Sequence, residues 1–211
     1  MFAFSMQSLA ANSLSVNWFD VVLVLVLLFG LFRGRRNGMS KEVLPLFQWL
    51  AIIFISGLFY SLVAQWLASL AHLNPLTSNI LGYAILALVV FLFFSMLKRP
   101  LGLKLFGSNL FGSAEYYLGT PSGMVRYACV LLFVLAFLNA RLFTPAQIEA
   151  DSQYQERWYG SQFFPGLYTV QNQVFVKSFT GPYIKKYLDV LLIESTPTGG
   201  SKTVQTDEPA N

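Results

Sequence analysis

The chain has 211 residues, of which 55% are hydrophobic, 16% aromatic and only 11% charged, against about 25% charged in an ordinary soluble domain. Its net charge of +4 is small and gathered in short loops, which favours orientation by a membrane over the basic face that a nucleic-acid binder needs. The length suits one domain or one and a half. The single cysteine, Cys129, excludes an internal disulfide and reads as an inert packing residue.

An N-terminal arm, residues 1–16, contains no Lys or Arg, so it lacks the basic n-region of a cleavable signal peptide. Next, Val21 to Phe32 is unbroken apolar sequence between Asp20 and Arg33-Gly34-Arg35-Arg36-Asn37-Gly38. A surface helix of a soluble domain shows an apolar stripe, not apolar residues all round. With its flanks this first span covers about 17–36, and at about 1.5 Å per residue it reaches roughly 30 Å, the hydrocarbon thickness of a bilayer.

The second span is predicted over 43–70, with Pro45 in its first turn, where a missing N–H matters least. Gln48, Ser56, Ser61 and Gln65 lie within it, and no charge interrupts it. It is longer than the ~20 residues needed, so tilt or an overhanging end is expected. The third, 80–97, has Thr77-Ser78-Asn79 as cap chemistry before it and Lys98-Arg99-Pro100 to end it. The fourth, 119–140, joins the apolar run Met124–Leu138 to its preface Gly119-Thr120-Pro121-Ser122-Gly123. Arg126 lies inside it, and an arginine at a helix centre costs ~2.5–3.5 kcal/mol on insertion scales. It is therefore expected near an interface, where it snorkels or meets a carboxylate.

After Leu138 the composition mixes Gln, Tyr, Phe and charges of both signs, with Pro145, Pro165 and Pro182. Residues 141–193 are read as an extramembrane or interfacial helical segment. Within it Ile184, Tyr187, Leu188, Leu191 and Leu192 fall at i, i+3, i+4, i+7 and i+8, one face of an amphipathic helix too short to span. Residues 194–211 read as a disordered tail. The fold class is thus an all-α integral membrane protein of four transmembrane helices with a C-terminal amphipathic segment.

Charge orients it. Arg33, Arg35, Arg36 and Lys41 lie between spans one and two, and Lys98, Arg99 and Lys104 between spans three and four, while the arm and Ala71–Asn79 carry no Lys or Arg. The positive-inside rule places both basic loops in the cytoplasm and both termini outside. Trp18 and Trp66 then fall at the outer interface, and Tyr116 and Tyr117 near the inner one.

The opening of the chain resembles the colicin V production (CvpA) family: Asn17-Trp18-Phe19-Asp20, an apolar run, then Arg33-Gly34 with Gly38, then Lys41-Glu42-Val43-Leu44. Glu115-Tyr116-Tyr117-Leu118-Gly119, with Gly123 and Arg126, is similar to the family's acidic residue followed by glycines four apart and an arginine. Trp158 with Ser161 and Pro165 resembles its short motif after the last span. Glu115 stands where an aspartate is usual, and Thr120-Pro121-Ser122 departs from an apolar or glycine-rich pattern. The resemblance covers most of 17–166 and leaves the extension from about Gln171 unassigned. It implies a four-span bacterial inner-membrane protein, linked to making and releasing a secreted peptide toxin, with no established catalytic activity.

The candidate site residues each carry a plainer alternative. Asp20 is either a functional carboxylate of a span or, the favoured reading, an N-cap. Gly30, Gly34 and Gly38, like Gly119 and Gly123, have the spacing that lets helix backbones approach; for the first set a flexible turn among arginines competes. Arg126 is expected to pair with Glu42 or Glu115 at the inner end, with Asp20 capping its own helix or meeting Arg141. Arg33 and its neighbours need no partner beyond anionic lipid headgroups.

Enzyme signatures are missing. His72 is the only histidine, so no zinc helix can form, and a Ser122–His72 dyad would have to join residues predicted on opposite sides. There is no Walker-type loop and no Cys-x-x-Cys pair. The expectation is no enzyme, no cofactor and no metal, with the lipid bilayer, a second copy or other membrane proteins as partners and no nucleic acid. A non-catalytic accessory or scaffold protein comes first and a small oligomeric transporter or channel second.

Overall fold

A computed structural model describes residues 17–106, 112–143 and 166–197. Four long helices make its body: α1 (Trp18–Asn37), α2 (Met39–Ala71), α3 (Pro75–Phe106) and α4 (Glu115–Asn139). Of these, α2, α3 as far as Lys98, and α4 are long and apolar enough to cross a membrane. The 20-residue α1 has the length but carries Asp20 in its first turn and Arg35 and Arg36 in its last. Many large side chains point outward from the body, among them Leu25, Phe29, Phe32, Leu88, Val89 and Phe93. That is far more exposed apolar surface than a soluble monomer carries, and lipid is the solvent that suits it.

The helices run alternately up and down. Gly30 faces Gly123 and Gly34 faces Gly119, so α1 and α4 are antiparallel. Gly82 lies against the backbone of Tyr60 and Ala64, and Ile52 packs with Ala87 and Val90, so α2 and α3 form an antiparallel hairpin. Glu42 meets Arg126 and Ile53 clusters with Cys129, so α2 and α4 are parallel neighbours. α1 packs along α4 far more than along α2, although only Gly38 separates the two. Gly38 permits that divergence with φ 75°, a left-handed value that a side chain would strain.

Tyr83 is wholly buried at the centre, with the rings of Tyr60, Phe133 and Phe137 around it. Since lipid tails are as apolar as leucine, such cores hold by contact and hydrogen bonding rather than by exclusion of water.

Several boundaries differ from those expected. α3 begins at Pro75 and continues through Pro100 to Phe106; the Thr77-Ser78-Asn79 triplet is inside its first turn, where Ser78 N–H already donates to Asn74 O. An interior proline removes one backbone bond and strains one turn, and here it does not end the helix. α4 begins at Glu115 and takes in the whole preface, Pro121 included, which supplies the length that Met124–Leu138 lacked.

Beyond α4, β1 (Arg141–Leu142) pairs in parallel with β2 (Thr196–Pro197). Between them lie α5 (Leu167–Asn172), a π-helical turn at Gln173–Lys177, α6 (Gly181–Leu188) and a 3-10 turn at Asp189–Leu191. The face expected of one amphipathic helix is broken up. Leu191 and Leu192 are buried after α6 has ended, and Tyr187 is 69% exposed. Trp158, Ser161, the arm 1–16, and the tail beyond Pro197 lie outside the described residues.

Candidate functional site

Three constructions bring the sequence-predicted residues together. The first is a glycine seam. A Cβ on Gly123 would stand 2.7 Å from the Cα of Gly34, and one on Gly34 would stand 2.8 Å from the Cα of Gly123. A Cβ on Gly119 would meet the Gly34 carbonyl oxygen at 2.5 Å. Gly30 closes the seam against Gly123 O and the Tyr127 ring. Both glycine sets therefore form one interface, and the flexible-turn reading of the first set is overturned for Gly30 and Gly34, which sit within α1. The physical reason is reciprocity: only where both helices lack side chains can the backbones touch.

The second is an ion pair at the end where α1 stops and α2 and α4 start. Arg126 Nη1 donates to Glu42 Oε2 at 2.5 Å, and Asn37 Nδ2 donates to Glu42 Oε1 at 2.6 Å. The Glu42 side chain is fully buried and that of Arg126 is 13% exposed. Of the two glutamates weighed for Arg126, the partner is Glu42. Glu115 instead lies on Gly38, its carboxylate 2.8 Å from where a Cβ would be. Arg33, Arg35, Arg36 and Lys41 surround this end, all exposed. Tyr116 and Tyr117 are exposed there as well.

The third stands at the opposite end, around Asp20. Asn17 is the N-cap of α1, and Asp20 is the third helical residue, accepting from Asn17 N–H at 3.0 Å in a capping box. The N-cap expectation is thus corrected by three residues, and the Asn-x-x-Asp spacing shows why: the cap side chain and the N3 side chain satisfy each other's backbone. Asp20 does not turn to Arg141. Its carboxylate also accepts from Phe179 N–H (2.9 Å), Thr180 N–H (3.1 Å) and Thr180 Oγ1 (2.7 Å). It is 7% exposed and ties the C-terminal segment to the start of α1. Asn17 Nδ2 and Trp18 Nε1 add bonds to Gln173.

Other side chains found by the fold alone continue that attachment. Tyr60 Oη accepts from Glu194 N–H, Asn139 Nδ2 donates to Ile193 O, and Asn79 Nδ2 donates to Thr196 Oγ1. Gln171 Nε2 donates to Leu138 O and Arg141 O, satisfying carbonyls that the end of α4 leaves open. Asn17 was findable from its spacing to Asp20. Thr180, Gln171 and Glu194 were not, because their partners are far away in sequence.

His72 is the C-cap of α2 in the left-handed region, φ 50°. Ser122 is near the start of α4. Because α2 and α4 are parallel, the two sit at opposite ends of the body and no dyad forms between them. Among the described residues no group of three His, Cys, Asp or Glu side chains converges on a metal-sized site.

Neither the curated proteins nor the solved structures compared with the chain give a match. The profile of the Colicin V production protein family matches residues 19–172, a stretch that holds the glycine seam, the Glu42–Arg126 pair and Asp20. The chain is a multi-pass membrane protein and belongs to the Colicin V production protein family.

Proposed function

We propose that this protein is a non-catalytic accessory or scaffold protein of a bacterial inner membrane, with four spans and both termini outside the cytoplasm. On this reading it serves production or export of a colicin V-type peptide toxin and envelope processes. α1 is the first span, its Asp20 end outward and its arginine end inward, as the positive-inside rule directs. Trp18 and Trp66, both exposed, then sit at the outer interface, with Arg33, Arg35, Arg36 and Lys41 against anionic headgroups. The segment 166–197 belongs to the outward end of the bundle.

One observation carries the choice of a scaffold: the buried carboxylates among the described residues are committed to structure. Both Glu42 oxygens are taken, by Arg126 and Asn37, and Asp20 accepts four hydrogen bonds. Intramembrane ionisable groups that move solutes need a state in which they are exposed to the path, whereas Glu42 fixes α4 to α2 and Asp20 fixes the C-terminal segment to α1. Photo-cross-linking from the exposed faces in intact membranes should capture defined protein partners or a second copy.

A second reading, a small oligomeric transporter or channel, is favoured by Gln48 Nε2, Ser56 Oγ and Tyr83 Oη, which are buried within the helices without a hydrogen-bond partner. Proton- and solute-flux measurements in vesicles separate the two readings. The scaffold predicts leakage at the level of protein-free vesicles, and flux that is lost on Ser56→Ala or Tyr83→Phe would transfer the case to the second.

A further inference from the structure

The family profile ends at residue 172, yet the chain from Phe179 to Glu194 is packed firmly on the body. Asp20 accepts from Phe179 and Thr180, and Leu191 rests on the backbone of Gly57. Asn139 Nδ2 donates to Ile193 O, Tyr60 Oη accepts from Glu194 N–H, and Leu192 and Ile193 are buried. The height of these anchors along the helices decides where the membrane meets the segment.

α1 and α2 leave Gly38 in the same direction, from a point between Arg36 and Lys41. At a rise of 1.5 Å per residue, Asp20 lies about 27 Å from Gly38 and Gly57 about 28 Å. The hydrocarbon of a bilayer is about 30 Å thick. Even a hydrocarbon layer that began level with Gly38 would cover both residues. Arg33, Arg35, Arg36 and Lys41 are all exposed and draw that edge further along the helices, toward Asp20. Tilt lowers both heights and sinks them more. The apolar run of α1, Val21–Phe32, measures only about 18 Å at the same rise. α2 and α3 carry their bare apolar surface past this level, with Leu58, Phe59, Leu62 and Leu81 exposed.

The segment has side chains to match. Ile184 and Leu188 pack toward the protein, while Tyr183, Tyr187 and Val190, at i, i+4 and i+7, form a second apolar face that is exposed. The exposed ring of Phe179 continues it, 5.9 Å from that of Tyr183. Lys185 and Lys186 are exposed as well, on stems long enough to carry their charges to headgroups. Asp20 gives an independent reason for cover at this depth. Three of its four hydrogen bonds come from Phe179 and Thr180, and a carboxylate turned to lipid without them would be costly. Beside it, Val21, Val24, Leu25 and Phe179 line an apolar groove of about 360 Å³.

We propose that Phe179–Val190 lies within the leaflet at the Asp20 end and completes there the crossing that α1 leaves short. Phe179 and Val190 stand among acyl chains, continuous with the lipid-facing belt of α2 and α3, and Tyr183 and Tyr187 stand at the headgroup boundary. The inference goes beyond the functional reading. It holds for a scaffold or a transporter alike, and for either side of the membrane that this leaflet faces.

Nitroxide labels test it in the full chain reconstituted in lipid vesicles. They are placed singly at Phe179→Cys and Val190→Cys, with Leu92→Cys as the mid-hydrocarbon reference and Asn74→Cys, in the α2–α3 turn, as the water reference. All four sites are exposed; Cys129 is buried, and the unsubstituted chain gives its background. Power saturation compares access to oxygen, which dissolves in hydrocarbon, with access to a water-soluble nickel chelate. The oxygen-to-nickel ratio at Phe179 and Val190 should lie severalfold above that at Asn74, on the side of Leu92. Val190→Cys carries the test if Phe179→Cys does not fold. A smaller separation from Asn74 at either position would overturn the proposal, as would exclusion of both reagents, which marks a protein partner over this face.

Discussion

Replacing Arg126 by leucine leaves Glu42 fully buried with one hydrogen bond, from Asn37. Breaking a buried pair by removing one partner costs about 3–5 kcal/mol, because the remaining charge keeps its desolvation penalty without the attraction that offset it. For a chain of this length that is about 6 to 20 °C of Tm. Adding Glu42→Gln removes the stranded charge and keeps a carbonyl for Asn37 Nδ2. The double variant should therefore recover at least about 1 kcal/mol relative to Arg126→Leu, above the ~0.5 kcal/mol scatter of independent sites. Glu115→Gln in place of Glu42→Gln should recover nothing, since Glu115 lies on Gly38 and does not reach the arginine. Thermal unfolding of the four proteins in lipid nanodiscs reads all three comparisons. If Glu42→Gln gives no recovery, Arg126 reaches headgroups and the pair is not what holds α4 to α2.

Three more outcomes rest on the same geometry. Gly123→Leu should cost at least ~3 kcal/mol, the upper end of overpacking, because its Cβ meets backbone at 2.7 Å; wild-type stability in thermal unfolding would show that α1 and α4 do not touch there. Gly30→Ala should cost less, since part of its contact is the Tyr127 ring, a side chain that can turn; a larger loss than in Gly123→Leu would contradict the seam. Asn17→Ala should lower stability by about 1 kcal/mol through the lost cap, and an unchanged Tm would refute the capping box.

The long apolar helices were legible because their signal is local: a run of leucine, valine and phenylalanine needs no knowledge of its neighbours. The two glycine sets were legible as spacing, but their mutual contact was not, because spacing names a face without naming what it meets. A cost argument asked that Arg126 meet a headgroup or a carboxylate and left Glu42 and Glu115 open; the packing of α4 along α2 brings it to Glu42. The C-terminal segment misled for a physical reason. Its apolar periodicity through Leu191 and Leu192 fits a helix on a surface, yet α6 ends at Leu188 and Leu191 turns inward because Gly57 offers it a place against backbone. Nothing near Leu191 in the sequence announces Gly57. Likewise Pro100 reads as the end of the third span, while α3 passes through it to Phe106.

A four-span arrangement with both ends of the chain outside the cytoplasm underlies the proposed function, and a paired reporter fusion tests it directly. An enzyme active only outside the cytoplasm, fused after Ile193, should be active; fused after Ser108, in the connection from α3 to α4, it should be silent. Activity after Ser108, or activity only from a cytoplasm-restricted reporter after Ile193, would contradict that arrangement.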